Sequence, residues 1–251
     1  MPRLSLIVIT KNEESSIARC IGSVPSADEI IVVDNGSTDR TATIARGLGA
    51  VVIDAPDWPG FGAQKQRALD AATGDWVLSL DADEWIEPPL MRLIDATLAT
   101  AETDEAFEMP RRSRFCGRIV RHCGWSPDYV TRLFKRPHGR FSDHRVHEHI
   151  VVAGRVGRLA APIEHDSIAS WADAEDKIIR YSDAAAAQMR AQGKRSSPLK
   201  ASLRGWAAFL KTFVARAGFL DGRTGWNVAQ YNRRYTDRKW RLLAEPARRL
   251  K

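Results

Sequence analysis

The sequence predicts an α/β protein with a mostly parallel mixed sheet flanked by helices and a helical, basic C-terminal appendage. Three observations lead to this prediction. Short β-rich runs alternate with helix-period segments, the strands end in polar loops, and residues 193–251 combine helical periodicity with many cations. With 251 residues, 44% of them hydrophobic, the chain is long enough to bury the core that such a sheet requires.

The alternation begins near the first residue. Residues 4–9 form a β-rich run, and apolar residues then recur at helical spacing from Ile17 to Val24. Residues 29–34 predict a second strand, and residues 41–47 predict a helix with Ser37 or Thr38 as its N-cap. A strand over 51–54, a helix over 64–72 and a strand from Trp76 continue the pattern, so the sheet should be mostly parallel.

Further elements are predicted after residue 88. A helix follows Pro88, and a strand starts at residue 106. Residues 170–192 form an amphipathic helix with one apolar stripe of Ile178, Tyr181, Ala185 and Met189. After a polar break at 193–198, a second stripe recurs at helical spacing: Leu203, Trp206, Ala207, Leu210, Phe213, Val214 and Ala217. Because basic residues flank this stripe, the helix suits either a membrane interface or docking on a core.

The net charge of +7 is unevenly distributed along the chain. Residues 1–110 contain 8 Lys/Arg against 19 Asp/Glu, residues 111–158 contain 12 against 3, and residues 190–251 contain 16 against 3. A basic C-terminal region is compatible with nucleic acid, an anionic membrane or a phosphorylated substrate. The acidic first 110 residues count against a nucleic-acid-binding module.

The cysteines and the apolar runs indicate the compartment. Cys20, Cys116 and Cys123 have neither redox nor zinc spacing, so we expect them to be reduced, as in the cytoplasm. The run at residues 4–9 is too short for the hydrophobic region of a signal sequence, and no uncharged apolar run reaches 18 residues. A membrane span is therefore not expected.

An Asp-x-Asp triplet follows the fourth predicted strand. If the extended conformation continues, Asp81 and Asp83 project to the same side as a pair. Paired carboxylates at a strand's carboxyl end suit Mg²⁺ or Mn²⁺, which keep positions for substrate phosphates, although an isolated triplet also fits a solvated turn. No Gly-x-Gly-x-x-Gly follows any strand, which argues against a dehydrogenase.

Three blocks together resemble the signature blocks of family 2 glycosyltransferases of the GT-A fold: residues 6–13 (LIVITKNE), 31–39 (IVVDNGSTD) and 74–83 (GDWVLSLDAD). Residues 123–129, 132–136 and 146–148 resemble the branch that adds β-linked glucose to the lipopolysaccharide inner core. Many family members have a second aspartate where this chain has Asn35, so one carboxylate near the nucleotide is missing. The chain also lacks the Gln-x-x-Arg-Trp of processive synthases, which favours transfer of a single sugar.

The resemblance implies an inverting, metal-dependent hexosyltransferase that moves one sugar, in this branch glucose from UDP-glucose, onto a lipopolysaccharide core or another glycolipid. Residues 1–192 would be the catalytic domain, with a nucleotide-binding half near 1–100 and an acceptor-binding half near 101–192. Residues 193–251 would be the basic helical region. A lipid-linked acceptor together with the basic C-terminal region predicts a cytoplasmic enzyme that binds peripherally to the anionic surface of the inner membrane, and no nucleic-acid partner is expected.

Metal-binding and substrate-binding roles are expected at the following residues. Asp83 and Asp81 would bind Mg²⁺ or Mn²⁺, with Asp81 reaching either metal-bound water or ribose, and His165 either completes the metal shell or is structural. Three roles are open for Lys65: it contacts the nucleotide, it holds Asp81 in position, or it is an exposed surface lysine. The full set expected to bind substrate is Thr10, Asn12, Glu13, Asp34, Asn35, Ser37, Asp39, Lys65 and Asp81.

Inversion requires a carboxylate that takes the proton of the acceptor hydroxyl. Glu148, which follows the signature blocks, is the first candidate, and Asp128 is the second. The alternative for Glu148 is a strand-edge carboxylate paired with Arg145. The arginines of residues 111–158 either face an anionic acceptor or form a solvated surface.

Two other functional classes remain open at this point. A nucleotidyltransferase would share the sheet and the metal carboxylates, but its first strand should lead into a loop rich in glycine and Lys/Arg. Residues 10–14 are instead acidic and lack glycine. A nucleic-acid-binding module would explain the basic C-terminal region but not the ordered aspartate blocks.

Overall fold

The computed structural model describes residues 2–100, 103–142 and 149–244, which fold into two compact units. The first unit comprises Met1–Arg111 and Asp128–His165, and the second comprises Arg112–Pro127 and Asp166–Lys251. This division differs from the boundary after residue 192 that the sequence predicts. The long helix before that residue groups with the C-terminal helices.

Strands and helices alternate in the first hundred residues, as predicted. The elements there are β1 (Leu4–Thr10), α1 (Ile17–Gly22), β2 (Glu29–Asp34), α2 (Thr41–Gly47), β3 (Val51–Asp54), α3 (Phe61–Ala71), β4 (Trp76–Asp81), β5 (Glu84–Ile86) and α4 (Pro88–Thr100). Short strands follow: β6 (Ala106–Phe115), β7 (Arg118–Ile119), β8 (Tyr129–Lys135), β9 (Gly139–Phe141), β10 (Ile150–Val152), β11 (Val156–Arg158) and β12 (Ile163–Ile168). The chain ends in α5 (Trp171–Ala191), α6 (Pro198–Leu210), a π-helical turn (Lys211–Ala215), a 3₁₀ turn (Gly218–Asp221) and α7 (Gly222–Leu242).

The main sheet has the strand order β3-β2-β1-β4-β8-β6-β12-β5. β1 pairs in parallel with β2 and β4, whereas β8 runs antiparallel to β4. The register sets Thr10 opposite Asp34 and Ile9 opposite Asp81, so three polar strand ends meet at one edge. The mixed sheet with its parallel first half and flanking helices confirms the predicted fold class.

The parallel strands are buried on both faces. Along β1, Leu4, Leu6 and Val8 belong to one hydrophobic cluster, and Ile7 belongs to another on the opposite face. Helices α1 and α4 cover the first face, and α3 covers the second. Burial on both faces explains why these strands are continuous apolar runs in the sequence.

Helix α2 begins at the predicted residue, but the predicted caps are wrong. The hydroxyl of Ser37 donates to Asp34, and the hydroxyl of Thr38 lies on Asn12. The carboxylate of Asp39 instead accepts the N–H of Thr41 at 3.0 Å. Ser37 is unavailable as a cap because the buried carboxylate of Asp34 takes its hydroxyl.

Helix α5 also differs from the prediction in its orientation. Its buried residues are Ala174, Ile178, Ser182 and Ala186, whereas Tyr181 is exposed. Ile178 is the one predicted stripe residue that is fully buried. The buried stripe of α5 is made of small side chains, and these are less conspicuous in the sequence than Tyr181.

Helix α6 packs on α7 through small residues. Ala201, Gly205 and Phe209 are buried, but Leu203 and Trp206, which the sequence places on the apolar stripe, are exposed. Across the described ranges, no helix combines the length and the apolar character that crossing a bilayer requires.

Close backbone contact at Gly225 provides a test of the second unit. A Cβ added there would lie 1.8 Å from the carbonyl oxygen of Gly218, so α7 would have to move. We expect Gly225→Ala to lower the free energy of unfolding by about 1–3 kcal/mol, as overpacking does. Urea denaturation measures this change. Gly47→Ala is the control, because its Cβ would meet nothing within 4 Å, and equal stability of the two variants would contradict the packing described.

Candidate active site

The loops after β1 and β2 are joined by hydrogen bonds. The N–H of Asn12 donates to Ser37 Oγ at 2.8 Å, and Asn12 Oδ1 accepts the N–H of Thr38 at 2.8 Å. The N–H of Glu13 donates to Thr41 Oγ1 at 2.7 Å. Asn12 has a φ of 55°, a left-handed conformation that Asn tolerates better than most residues. We call these two joined loops the polar platform.

Asp34 lies under the polar platform. Its Oδ2 accepts the N–H of Ser37 at 2.9 Å, and its side chain is buried. Thr10 lies opposite Asp34 in the sheet, and its buried hydroxyl makes no hydrogen bond with the described residues. Burial alone would raise the pKa of Asp39, but hydrogen bonds from Thr41 and Glu14 lower it. The platform therefore combines a charged carboxylate with a hydroxyl that no group in the described part of the chain satisfies.

Asn35 is directed away from this platform toward α3. Its side chain is buried, and its side-chain amide lies 3.2 Å from Gln64 Nε2. The Gln64 amide also donates to the carbonyl of Ala55 at 3.1 Å. The position at which many family members carry a second aspartate thus ties β2 to α3 in this chain.

Asp81 and Asp83 are not a parallel pair. β4 ends at Asp81, and a turn through Ala82 and Asp83 leads into β5, so the extended conformation on which the predicted pairing depended does not continue. Glu84 folds back across this turn, and its Oε2 accepts the N–H of Asp81 at 3.0 Å. The two aspartates consequently have different partners.

Both carboxylate oxygens of Asp81 are bound by cations. Lys65 Nζ lies 2.7 Å from Oδ1, and an Arg132 guanidinium nitrogen lies 2.6 Å from Oδ2. Burial alone would raise the pKa of Asp81, but the charges of Arg132 and Lys65 hold it well below its usual range. Lys65 is only 2% exposed, so the surface interpretation is wrong, and the alternative in which Lys65 organises Asp81 is the one observed.

The contacts of Asp81 continue into a longer series. Arg132 also donates to Glu84 Oε1 at 2.8 Å, and Arg111 reaches the same oxygen at 3.3 Å. Burial would lower the pKa of Arg132, but Asp81 and Glu84 raise it. Arg111 then binds Asp128. We call this alternating series of three cations and three anions the ion chain: Lys65, Asp81, Arg132, Glu84, Arg111 and Asp128.

Glu84, Arg111 and Arg132 are not among the site residues that the sequence predicts. Arg132 was one of many arginines expected to face either an acceptor or solvent, but it is buried between two carboxylates. Glu84 directly follows the Asp-x-Asp triplet, and its side chain is fully buried. The one feature of the sequence that could have indicated a role for Glu84 is its position next to the carboxylates of Asp81 and Asp83.

The structure describes only one of the two candidate bases, Asp128. Asp128 Oδ2 accepts hydrogen bonds from Nε and a terminal nitrogen of Arg111, at 2.9 and 2.7 Å, and its side chain is 37% exposed. It is therefore an end member of the ion chain. Glu148 and Arg145 lie outside the described residues, so the first candidate remains a prediction.

Asp83 pairs with a histidine from the other end of the first unit. His165 Nε2, on β12, lies 3.4 Å from Asp83 Oδ2. No group of three His, Cys, Asp or Glu side chains within residues 2–100, 103–142 and 149–244 is arranged to hold a metal. Two protein ligands nevertheless fit an ion that binds substrate oxygens and water at its other positions. The mixed oxygen and nitrogen set suits Mn²⁺ better than Mg²⁺.

Cys20, on α1, lies close to the carboxyl end of β4. Its Sγ lies 3.5 Å from the carbonyl oxygen of Asp81, and the side chain is buried. Burial, and then the charges of Glu84, Asp81 and Asp83, raise the pKa of the thiol well above its ordinary value. The protonated thiol is neither a metal ligand nor a nucleophile at neutral pH.

With this geometry in place, the similarity to known proteins becomes informative. The model of the family described as "Glycosyl transferase family 2" matches residues 5–145, a range that contains the polar platform and the ion chain. The chain belongs to glycosyl transferase family 2. The predicted enzyme class is thereby confirmed, and the two alternative classes are set aside.

This family 2 glycosyltransferase has relatives of similar length. It is 32% identical over 237 residues to an uncharacterized glycosyltransferase of Rickettsia prowazekii (strain Madrid E), covering 90% of this chain and 81% of the relative. It is 30% identical over 244 residues to the lipopolysaccharide core biosynthesis glycosyltransferase LpsC of Rhizobium meliloti (strain 1021), covering 88% and 87%. The glucosyl-3-phosphoglycerate synthase of Mycobacterium tuberculosis, solved with Mn²⁺, UDP and glucosyl-3-phosphoglycerate, is 20% identical. That similarity covers 66% of this chain and 72% of that one, with a TM-score of 0.45.

The ion chain makes a prediction about stability. Arg132→Met removes the buried cation between Glu84, which is fully buried, and Asp81, whose side chain is 28% exposed, so we expect a loss of about 3–5 kcal/mol in the free energy of unfolding, measured by urea denaturation. The control is Arg46→Met, whose exposed pair with Asp54 at 3.1 Å should contribute less than about 1 kcal/mol. Losses of the same size in both variants would show that the ion chain is not the stabilising feature.

Proposed function

We propose that this protein transfers one sugar, glucose from UDP-glucose in the first instance, to a hydroxyl of a lipopolysaccharide core or another glycolipid, with inversion. The observation that carries the proposal is the shared edge of β1, β2 and β4, where the polar platform and the Asp83–His165 pair follow adjacent strand ends. The LpsC relative, similar over most of both chains, supports the acceptor class. The choice of glucose rests on the resemblance in residues 123–148.

The polar platform would bind the nucleotide. Asp34 holds Ser37 in position, and the Thr10 hydroxyl provides a hydrogen-bonding group that has no partner among the described residues. A nucleoside offers several hydroxyl and carbonyl groups that could satisfy such a donor. Asn12, Glu13 and Asp39 complete the edge of the platform, whereas Asn35 would act from below, by holding β2 against α3.

Asp83 and His165 would hold a divalent ion, Mn²⁺ or Mg²⁺. Such an ion, when bound, supplies Lewis-acid stabilisation of the negative charge on the leaving diphosphate. We reassign Asp81, which the sequence analysis gave to the metal, because Lys65 and Arg132 take both of its oxygens. Its role in this proposal is to fix the turn that carries Asp83.

Inversion requires the acceptor hydroxyl to attack from the face opposite the diphosphate. The hydroxyl proton passes to a carboxylate as the new C–O bond forms and the bond between the anomeric carbon and the diphosphate breaks. Glu148 keeps the role of base, and Asp128 is the alternative. A glycolipid acceptor also accounts for the proposed location, in the cytoplasm at the inner face of the inner membrane.

Calorimetry with a nucleotide-sugar panel tests the proposal. UDP-glucose, UDP-galactose and GDP-mannose are titrated into the protein with Mn²⁺, with Mg²⁺ and with EDTA, and transfer is then followed on a core glycolipid. We expect UDP-glucose to bind with metal-dependent affinity and to yield free UDP. Release of pyrophosphate from a nucleoside triphosphate and a sugar phosphate would instead identify a nucleotidyltransferase.

The metal assignment predicts a specific loss. Asp83→Asn should lower the turnover of UDP-glucose by about 10²-fold or more and remove the effect of Mn²⁺ on UDP affinity, because one of two protein ligands is lost. Calorimetry in Mn²⁺ and in EDTA measures the second effect. Asp70→Asn on the exposed side of α3 is the control, and an Asp83 variant with full metal-dependent activity would refute the assignment.

The two candidate bases are separated by kinetics. Glu148→Gln should lower kcat by about 10²–10⁴-fold with the affinity for UDP-glucose nearly unchanged, because a base acts mainly in the transition state. Asp128→Asn should instead reduce stability, since Arg111 loses the closer of its two carboxylate partners. If Asp128→Asn gives the kinetic pattern and Glu148→Gln is active, the two roles are exchanged.

A further inference from the structure

Exposed apolar side chains are concentrated in one part of the second unit. Of the seventeen large apolar side chains exposed among the described residues, eight lie between Leu199 and Trp226. Five of these, each at least half exposed, follow one another at intervals of three or four residues and therefore lie on one side of the helix. We call them the apolar ridge: Leu199, Leu203, Trp206, Leu210 and Val214.

The ridge is held outward by the packing of α6. The opposite side of the helix is occupied, because Gly205 brings α6 so close to α7 that an added Cβ would lie 3.0 Å from Asp237 Cβ. Phe209 packs against Trp206 and Trp226, with ring centroids 5.7 and 4.9 Å apart. Rotation of α6 to bury the ridge would break these contacts, so its exposure is built into the unit.

A basic cavity lies directly beside the ridge. It has a volume of about 110 Å³ and is lined by Gly205, Trp206, Arg233, Arg234, Asp237 and Arg241, together with Ser202. By comparison with the volume that one water needs, it can hold several water molecules or a phosphate group. Three guanidinium groups face one carboxylate in its wall.

The partners of these arginines leave the cavity positive. Arg241 pairs with Asp237 at 2.6 Å, and Arg234 pairs with Glu175, outside the cavity wall, at 2.9 Å. Arg233 lies 4.7 Å over the ring of Trp206 and hydrogen-bonds the neutral Gln230 at 2.9 Å. At least one guanidinium charge is thus not balanced by a carboxylate in the contacts that define the cavity.

Cations are in excess over the whole region. Residues 190–251 contain 16 Lys/Arg and 3 Asp/Glu. Burial and then the charge of Arg204 lower the pKa of Lys239, as expected where cations crowd one another. An apolar ridge with flanking cations is the arrangement of helices that lie in the interface of an anionic bilayer.

We infer that α6 seats the protein on an anionic lipid bilayer, with the apolar ridge in the interface and the arginine-lined cavity on a lipid phosphate. Arg binds phosphate oxygens with two parallel N–H groups, and Trp is suited to the boundary between apolar and polar layers. The inference rests on the proposed function only in that its glycolipid acceptor lies in such a bilayer. Lipid binding itself requires neither donor nor acceptor.

Charge complementarity favours a bilayer over a second copy of the chain. A symmetric dimer through the ridge would set the same cation-rich surface against itself, arginines against arginines. An anionic bilayer sets opposite charges together and adds attraction for each basic residue near its surface.

Co-sedimentation with vesicles tests the inference on the full chain. Vesicles of phosphatidylcholine alone are compared with vesicles containing about one third phosphatidylglycerol, at low and at high salt. We expect partition into the anionic vesicles to be about tenfold greater at low salt and to fall as salt rises. Equal binding to both vesicles, or no binding to either, would overturn the inference.

Two double variants separate the ridge from the cavity. Leu203→Ser with Leu210→Ser removes two exposed side chains, and binding to anionic vesicles should fall about tenfold. Arg233→Gln with Arg241→Gln should reduce it about fivefold and weaken its salt dependence. Ile179→Ser with Arg180→Gln, on the exposed part of α5, is the matched control and should bind within about twofold of wild type.

Two further measurements make each outcome decisive. Circular dichroism confirms that the variants fold, which is expected because the changed leucines are exposed. Analytical ultracentrifugation without lipid tests the alternative, since a dimer lost in the leucine variant would show that the ridge joins two copies instead. Calorimetry with UDP-glucose in the absence of lipid is independent of the ridge, so failure of the proposed function and failure of this inference give different results.

Discussion

The ion chain is the interaction on which the first unit depends. Its six members come from α3, β4, β5, β6, β8 and the residue before β8, so pairing of charge ties the end of β4 to the strands and the helix around it. A buried charge without a partner is costly, and the buried members Lys65, Glu84 and Arg132 each have one here. The turn that carries Asp83 is fixed by two of them, Asp81 before it and Glu84 after it. Asp83 is held in place in this way while its own side chain stays 27% exposed.

The same pairing explains the uneven charge along the sequence. Acidic residues of the first 110 positions meet basic residues of the following segment within the first unit. Besides the ion chain, the pairs are Lys135–Glu105, Arg155–Asp104 and Arg158–Glu108. These arginines and this lysine pair with the protein's own carboxylates, and their expected role toward an anionic acceptor stays a prediction. The C-terminal excess is different, because the region itself contains few acids to oppose it.

Much of the fold was predictable because it is encoded locally. The bounds of β2, α2 and β3 agree with the prediction to the residue, since each is a short periodic run between polar loops. The site was less predictable. Nothing near Lys65 in the sequence indicates that it is buried, because its partner is a carboxylate on another element. Periodicity located the apolar stripe of α6 but could not tell which side would meet α7, and the glycine that allows close approach decided it.

Cys20 connects this electrostatic arrangement to chemical reactivity. Thiol reagents and oxidants attack the thiolate, and a buried thiol surrounded by carboxylates forms very little of it. Cys20 is 1% exposed, so a reagent reaches its sulfur only after the residues packed around it, which include the end of β4, have opened. The rate at which Cys20 is alkylated therefore reports how often this edge of the sheet opens, and no added label is needed to measure it.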